Sequence, residues 1–291
     1  MDKQDGISGG GGREGLRWFW PGTRGGAGDF PWAGKRIGQG RGGDKKGEAR
    51  GECGRMGSTP MKTARKRMVL FDIDGTLLDT GGAGRQAFIR GLARVMGARD
   101  ELAYVSFAGN TDRKVLDQVM AARGQRLEEE EIRRIFGEVA KELRVLLREN
   151  PARAVAGAGS FLARLAGAGV ALGLVTGNIR ECAYLKLGSV GFDRFFRFGG
   201  FGDEHAERAE IGRAALAAAA AAGIEGAEGG ICLVGDTPFD VAAGVALGIP
   251  VIGVAAGKYG ACELLAAGAG VVVADFSDAG RLLDWMEATL G

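Results

Sequence analysis

From residue 68 onward, short continuously apolar runs alternate with segments whose apolar residues recur at helical spacing. Val69 to Phe71, Val170 to Val175, Ile231 to Val234, Val251 to Val254 and Val271 to Val273 read as strands buried on both faces, and Phe195 to Phe201 as a further short strand. Helical patterns lie between them, near Gly159 to Ala166, after Thr176 to about Leu187, from Ala206 to Ala222 and from Asp278 to Leu290, where Leu282, Leu283 and Met286 share a face. This order predicts an α/β protein, a Rossmann-like parallel sheet with helices on both faces. One stretch departs from it. Between Gly84 and Asn150 only helices are predicted, at Arg85 to Met96, Thr111 to Arg123 and Glu128 to Arg148, the last with Ile132, Ile135, Phe136, Val139, Leu143 and Leu147 on one face. An all-helical insertion at that point projects over the strand ends and covers whatever binds there.

Composition separates the first 60 residues from the rest. Of 291 residues, 54 are glycine, and glycine and arginine dominate the start of the chain, where three of the four tryptophans, Trp18, Trp20 and Trp32, also lie. Such a segment buries too little apolar surface to offset the entropy of ordering its glycines and is expected to be disordered. Arg24-Gly25-Gly26 and Arg41-Gly42-Gly43 have the form of RNA-binding tails, with Trp18-Phe19-Trp20 available to stack on bases. A GC-rich upstream region read as coding gives the same bias, and Met56, Met61 and Met68 offer later starts, so this tail is expected to lie outside the native protein or to serve no function. The formal net charge of +2 does not call for a polyanionic partner. Cys53, Cys182, Cys232 and Cys262 form no Cys-x-x-Cys pair, which fits a reducing cytoplasm. No run approaches the ~20 apolar residues of a membrane span, and the N-terminus has no secretory apolar region.

The strand at Val69 to Phe71 feeds into Asp72-Ile73-Asp74-Gly75-Thr76-Leu77. Strand carboxyl ends are where open α/β sheets bind ligands, and two acids one residue apart call for a cation or for different protonation states. An Asp-Gly turn after a strand is the plainer reading of this segment alone. Two other strand ends carry matching loops, Thr176-Gly177-Asn178 and Gly235-Asp236-Thr237-Pro238-Phe239-Asp240. A parallel sheet brings all three to one edge. Carboxylates, a hydroxyl and exposed glycine amides suit a hard divalent cation, magnesium being the natural candidate, with a phosphoryl group.

In this order the three motifs resemble the haloacid dehalogenase superfamily over residues 68–291, and the helical insertion resembles its C1 cap, near the phosphoglycolate-phosphatase-like and β-phosphoglucomutase-like members. The resemblance implies a core of residues 68–83 and 151–291, a helical cap of 84–150, and a Mg2+-dependent phosphatase acting on a small phosphorylated metabolite. It implies Asp72 as nucleophile forming an aspartyl-phosphate, and Asp74 as general acid/base that also ligates the metal through its backbone carbonyl. Thr176 would bind a phosphoryl oxygen, helped by Gly75, Thr76, Gly177 and Asn178. Asp236 would complete the metal site with Asp72 and Asp74, and Asp240 would support it through water or by orienting a cation.

The family's third motif, normally a lysine, has no Lys-Pro here. Alignment on Phe201 to Asp203 places Arg208 in that role, as a guanidinium able to span two phosphoryl oxygens. Lys186, on the helix after Thr176, is the rival and reads as a solvated helix-face lysine. Asn110, Thr111 and Asp112 read as a helix N-cap or a specificity loop. Arg85 and Lys114 read as solvated cations of the insertion, and Asp79 as a hinge or turn residue. The single histidine, His205, speaks against histidine-based catalysis. A phosphomutase acting on a sugar phosphate is the nearest alternative, and an RNA-binding protein with the α/β domain as scaffold is the alternative of another class.

Overall fold

The computed structural model describes residues 67–224 and 230–290. The tail of residues 1–60, with its expected disorder and RNA-binding pattern, lies outside them. Six parallel strands form the central sheet: β1 (Met68–Phe71), β4 (Ala171–Val175), β5 (Phe198–Gly200), β6 (Ile231–Gly235), β7 (Val251–Val254) and β8 (Val271–Val273), in the order β5-β4-β1-β6-β7-β8. β1 pairs with β4 on one side and β6 on the other. The chain thus builds outward from β1 in one direction through β4 and β5, then returns to build outward in the other. That reversal opens a crevice at the carboxyl ends of β1, β4 and β6.

Alternation within each strand separates two apolar layers. Val69 and Phe71 of β1, with Leu172, Leu174, Cys232 and Val234, face one core, whereas Met68 and Leu70, with Val175 and Leu233, face the other. Helices α4 (Ala158–Gly167) and α9 (Ala279–Leu290) contribute Phe161, Leu162, Leu282 and Met286 to the first. Helices α6 (Arg208–Ala221), α7 (Pro238–Leu247) and α8 (Ala261–Ala267) contribute Ile211, Ala215, Val241 and Leu264 to the second. The structure adds α7 and α8 to the elements read from sequence, and the strand expected at Phe195 to Phe201 is a 3-10 turn at Asp193–Phe195 followed by β5. Helix α5 (Arg180–Ser189) follows β4.

The segment after Asp72 makes a tight turn: Gly75 adopts φ 79°, its N–H donates to Leu78 O, and the amides of Thr76 and Leu77 donate to Ile73 O. A two-residue strand, β2 (Leu78–Asp79), then pairs antiparallel with β3 (Arg153–Ala154), closing a neck around the helical segment. Three helices lie between them, α1 (Ala83–Met96), α2 (Asp112–Ala122) and α3 (Glu129–Glu149). α1 and α3 pack closely because Gly91 has no side chain: a Cβ there would lie 2.5 Å from Val139 N. The apolar stripe Ile132, Ile135, Phe136, Val139, Leu143 and Leu147 is buried, as its helical spacing predicts. Among the described residues, no helix is long and apolar enough to cross a membrane.

Candidate active site

The loops after β1, β4 and β6 converge on a cavity of about 300 Å³ that reaches under the helical segment, with Asp72, Asp74, Thr176, Asn178, Lys186, Arg208 and Asp236 among its lining residues. Asp72 follows β1 directly, and its N–H donates to Val234 O, which joins the start of the site to β6. Asp72, Asp236 and Asp240 are buried, and one carboxylate oxygen from each lies within 4.8 Å of the other two. Arg208 counters part of that charge. Its guanidinium NH1 lies 2.7 Å from Asp240 Oδ1 and 3.1 Å from Asp72 Oδ1. Burial pushes Asp236 up to about 8, reinforced by Asp72 and Asp240, while Thr76 and Arg208 oppose the shift. Burial likewise raises Asp72 to about 6, Arg208 working against it and Asp240 and Asp74 with it.

Each acid is held by local chemistry. Asp240 is the N3 residue of α7, where Thr237 N and Thr237 Oγ1 donate to its Oδ2 at 3.0 and 2.7 Å in a reciprocal capping box, with Pro238 at the helix start. Both its oxygens are therefore engaged, which makes Asp240 the anchor of Arg208. Arg208 is the first residue of α6, a position where the helix dipole disfavours a cation. Asp240 and Asp72 compensate, and they raise its basicity even though burial opposes this. Among the described residues its Nε is a buried donor with no acceptor. Asp236 accepts from Thr76 Oγ1 at 3.1 Å, and side chains at Gly75 or Gly257 would collide with its carboxylate.

The second centre was not legible as such. Lys186 is buried, and its Nζ donates to Asp74 Oδ2 at 2.6 Å and to Asn178 Oδ1 at 2.5 Å. It is not the solvated helix-face lysine that its sequence context predicts. The signal was its spacing: Cys182, Ala183, Lys186 and Leu187 form the buried stripe of α5, with lysine at an apolar position. Arg208 likewise sits on the stripe that continues through Ile211, Gly212, Ala215 and Ala219. Asn178 Nδ2 donates to Asp74 Oδ2 at 2.7 Å and to Thr176 Oγ1 at 2.8 Å, so the Asn178 side chain is committed to protein partners and not open to a phosphate. Thr76 and the Gly75 amide are similarly taken up, by Asp236 and Leu78. In this structure these groups of the three positions are thus engaged by protein partners. Gly177 lines the cavity, and its carbonyl accepts from Asp112 N at 2.7 Å.

The helical segment is fastened over the site at the start of α2. Thr111 caps that helix by accepting from Lys114 N, as expected, and its hydroxyl also donates to Ala206 O. Asp112 Oδ2 accepts from Ile179 N at 2.8 Å, and Arg113 N donates to Gly202 O at 3.0 Å. Desolvation of its carboxyl raises Asp112 to about 6, Lys186 and the Ile179 amide countering that and Asp74 and Asp203 adding to it. Arg85 is exposed, as expected of a helix-face cation, and it also donates to the carbonyls of Glu101 and Leu102 and lies over Phe107, so it holds the connection between α1 and α2. Lys114 is half exposed and pairs with Glu207 at 3.2 Å. Asp79 ends β2, and its carboxylate holds the turn that follows by accepting from Gly81 N, with Arg153 as a second donor.

Fold and site together define a class: a doubly wound α/β protein with an acidic, partly neutralised ligand site at its switch point. The chain belongs to the haloacid dehalogenase-like hydrolases, whose family model matches residues 69–254. No curated protein matches it by sequence. Among solved structures it resembles CbbY from Rhodobacter sphaeroides in complex with xylulose-(1,5)bisphosphate, at 21% identity and a TM-score of 0.59, with 73% of this chain and 96% of that one covered. It also resembles a predicted phosphoglycolate phosphatase from Haemophilus somnus, at 19% identity and a TM-score of 0.54, covering 76% and 99%. At these identities the likeness is one of fold.

Proposed function

We propose that this hydrolase cleaves a small phosphomonoester through an aspartyl-phosphate on Asp72, with Mg2+ as its cofactor. The observation that carries the reading is the convergence of Asp72, Asp236 and Asp240 from two adjacent strand ends around the buried Arg208. Three carboxylates against one guanidinium leave an excess of buried negative charge. Burial, reinforced by the charges of Asp72 and Asp240, raises Asp236 to about 8. All-oxygen donors of this kind suit a hard divalent cation, so the residues fit magnesium, with Asp72, Asp236 and the backbone carbonyl of Asp74 as its holders. When bound, magnesium supplies charge that keeps Asp72 anionic and offsets its repulsion with phosphate.

The remaining work falls to the protein's own groups. Arg208 holds Asp72 at 3.1 Å, and its unpaired Nε–H is a donor that a phosphoryl oxygen can take. Thr176 donates its hydroxyl to a second oxygen. Asp72 attacks phosphorus; Asp74 protonates the departing alkoxide and then takes a proton from the water that releases phosphate. The helical segment, fastened through Thr111 and Asp112, excludes bulk water from the cavity. With magnesium, the protein is expected to release inorganic phosphate from p-nitrophenyl phosphate or from some member of a panel of small phosphate esters, and Asp72→Asn to lose at least about 1000-fold in kcat. Failure of the wild type on every ester rejects the reading. Isomerisation of a sugar phosphate without net phosphate release would replace it with a phosphomutase.

A further inference from the structure

We propose that Lys186 and Asn178 are a pair of positioning residues that fix which oxygen of Asp74 moves the proton and which way the Thr176 hydroxyl points. The inference rests on the reading of Asp74 as the acid/base and of Thr176 as a phosphate ligand. Asp74 Oδ2 receives two donors, Lys186 Nζ at 2.6 Å and Asn178 Nδ2 at 2.7 Å. An oxygen flanked by two hydrogen-bond donors has no room for a proton of its own, so a proton on this carboxyl sits on Oδ1. That proton passes from Oδ1 to the leaving-group oxygen as the phosphorus–oxygen bond breaks, and a proton from the attacking water returns to Oδ1. Lys186 keeps its own protons throughout.

Thr176 is set by the same pair. Asn178 Nδ2 and Asn178 N both donate to Thr176 Oγ1, at 2.8 and 3.3 Å, which occupies the lone pairs and leaves the hydroxyl hydrogen to be donated outward. The direction of the Asn178 amide is dictated by Lys186: an ammonium has no acceptor, so the group 2.5 Å from Nζ is Oδ1, and Nδ2 is forced toward Asp74 and Thr176. A buried ammonium is a costly way to fill a helix stripe: desolvation weighs against its charge, and the neighbouring Asp74 and Asp112 carboxylates outweigh that and raise its basicity, whereas an apolar residue packs there without the cost. Space is kept for it by Gly84 of α1, where a Cβ would stand 3.2 Å from Nζ. Arg208 serves the nucleophile and Lys186 the proton donor, which assigns the two cations separate tasks.

The test compares Lys186→Met, Lys186→Gln and Asn178→Ala with the wild type on two substrates in magnesium, p-nitrophenyl phosphate and a simple alkyl phosphate. The nitrophenolate departs without a proton, whereas the alkoxide needs one. Lys186→Met is expected to lower kcat roughly 100-fold on the alkyl ester but only about 10-fold on the nitrophenyl ester, with KM on both within about threefold. Lys186→Gln, which keeps one donor, should recover part of the loss, and adding Asn178→Ala to Lys186→Met should cost less than about threefold more. Wild-type rates in the Lys186 variants, or equal losses on the two esters, overturn the assignment. Should Lys186→Met fail to fold, as circular dichroism would show, Asn178→Ala decides by the same ratio. A wild type that hydrolyses neither these esters nor a wider panel rejects the hydrolase reading, and this inference with it; an active wild type with unaffected variants rejects the inference alone.

Discussion

Asp112 shows at the scale of one residue how the site burdens the fold around it. Its carboxylate is tucked under Ile179 N, faces Lys186 favourably and Asp74 and Asp203 unfavourably, and rises to about 6 against a value of 3.8 in an open chain. The folded state therefore binds this proton more tightly than the unfolded state. Its contribution to stability is greatest below about pH 4, falls as pH rises through about 6, and is flat above that. Asp112→Asn keeps an oxygen for the Ile179 amide and removes the charge, so the variant should be more stable than wild type at pH 8 by about 1–3 kcal/mol and lack that part of the pH slope. Urea unfolding at pH 5 and pH 8 measures both; a variant less stable than wild type at pH 8 refutes the account. At this scale the Asp72 loop, Thr176 and Asp236 were legible because their residue types follow strand ends. Lys186 was not, since a lysine on a helix is solvated unless the opposite face meets an acid, and the acid 112 residues away in sequence is supplied only by the fold.

Two glycines make the element scale testable. Gly91 of α1 lies against the backbone of Val139 in α3, whereas among the described residues no atom lies within 4 Å of the place a Cβ would occupy at Gly137 of α3. Alanine favours a helix over glycine by about 1 kcal/mol, so Gly137→Ala should stabilise the protein by about 0.5–1 kcal/mol. Gly91→Ala gains the same propensity but forces the two helices apart, and overpacking of about 1–3 kcal/mol should win. Thermal melts of the two variants should move in opposite directions; both rising would show that α1 and α3 are not held at close contact. The helices themselves follow from apolar spacing, and the predicted ends of α1, α2 and α3 fall within about two residues of those observed. β2 and β3 escaped that reading because two residues are too few to show a period, and their pairing depends on the return of the chain from α3.

For the whole molecule, the buried acids make stability, pH and metal one linked quantity. Asp236 at about 8 and Asp72 at about 6 both lie above their unfolded value of 3.8, so the metal-free protein loses stability as pH rises from about 4 to about 8. Under the proposed function, magnesium would bind the ionised carboxylates and reverse that loss. Its addition is expected to raise Tm by several degrees at pH 8 and by clearly less at pH 6, as read by calorimetry with and without chelator. A gain independent of pH would place the cation elsewhere, and no gain would remove it from the proposal. The sequence by itself determined the α/β class, the helical insertion and three of the strand-end loops, because periodicity and turn chemistry are local and need no partner. Only the tertiary structure decided which cation serves which acid. The order β5-β4-β1-β6-β7-β8 sets the loops side by side, and burial makes every charge there answer to its neighbours: Arg208 to Asp72 and Asp240, Lys186 to Asp74 and Asn178.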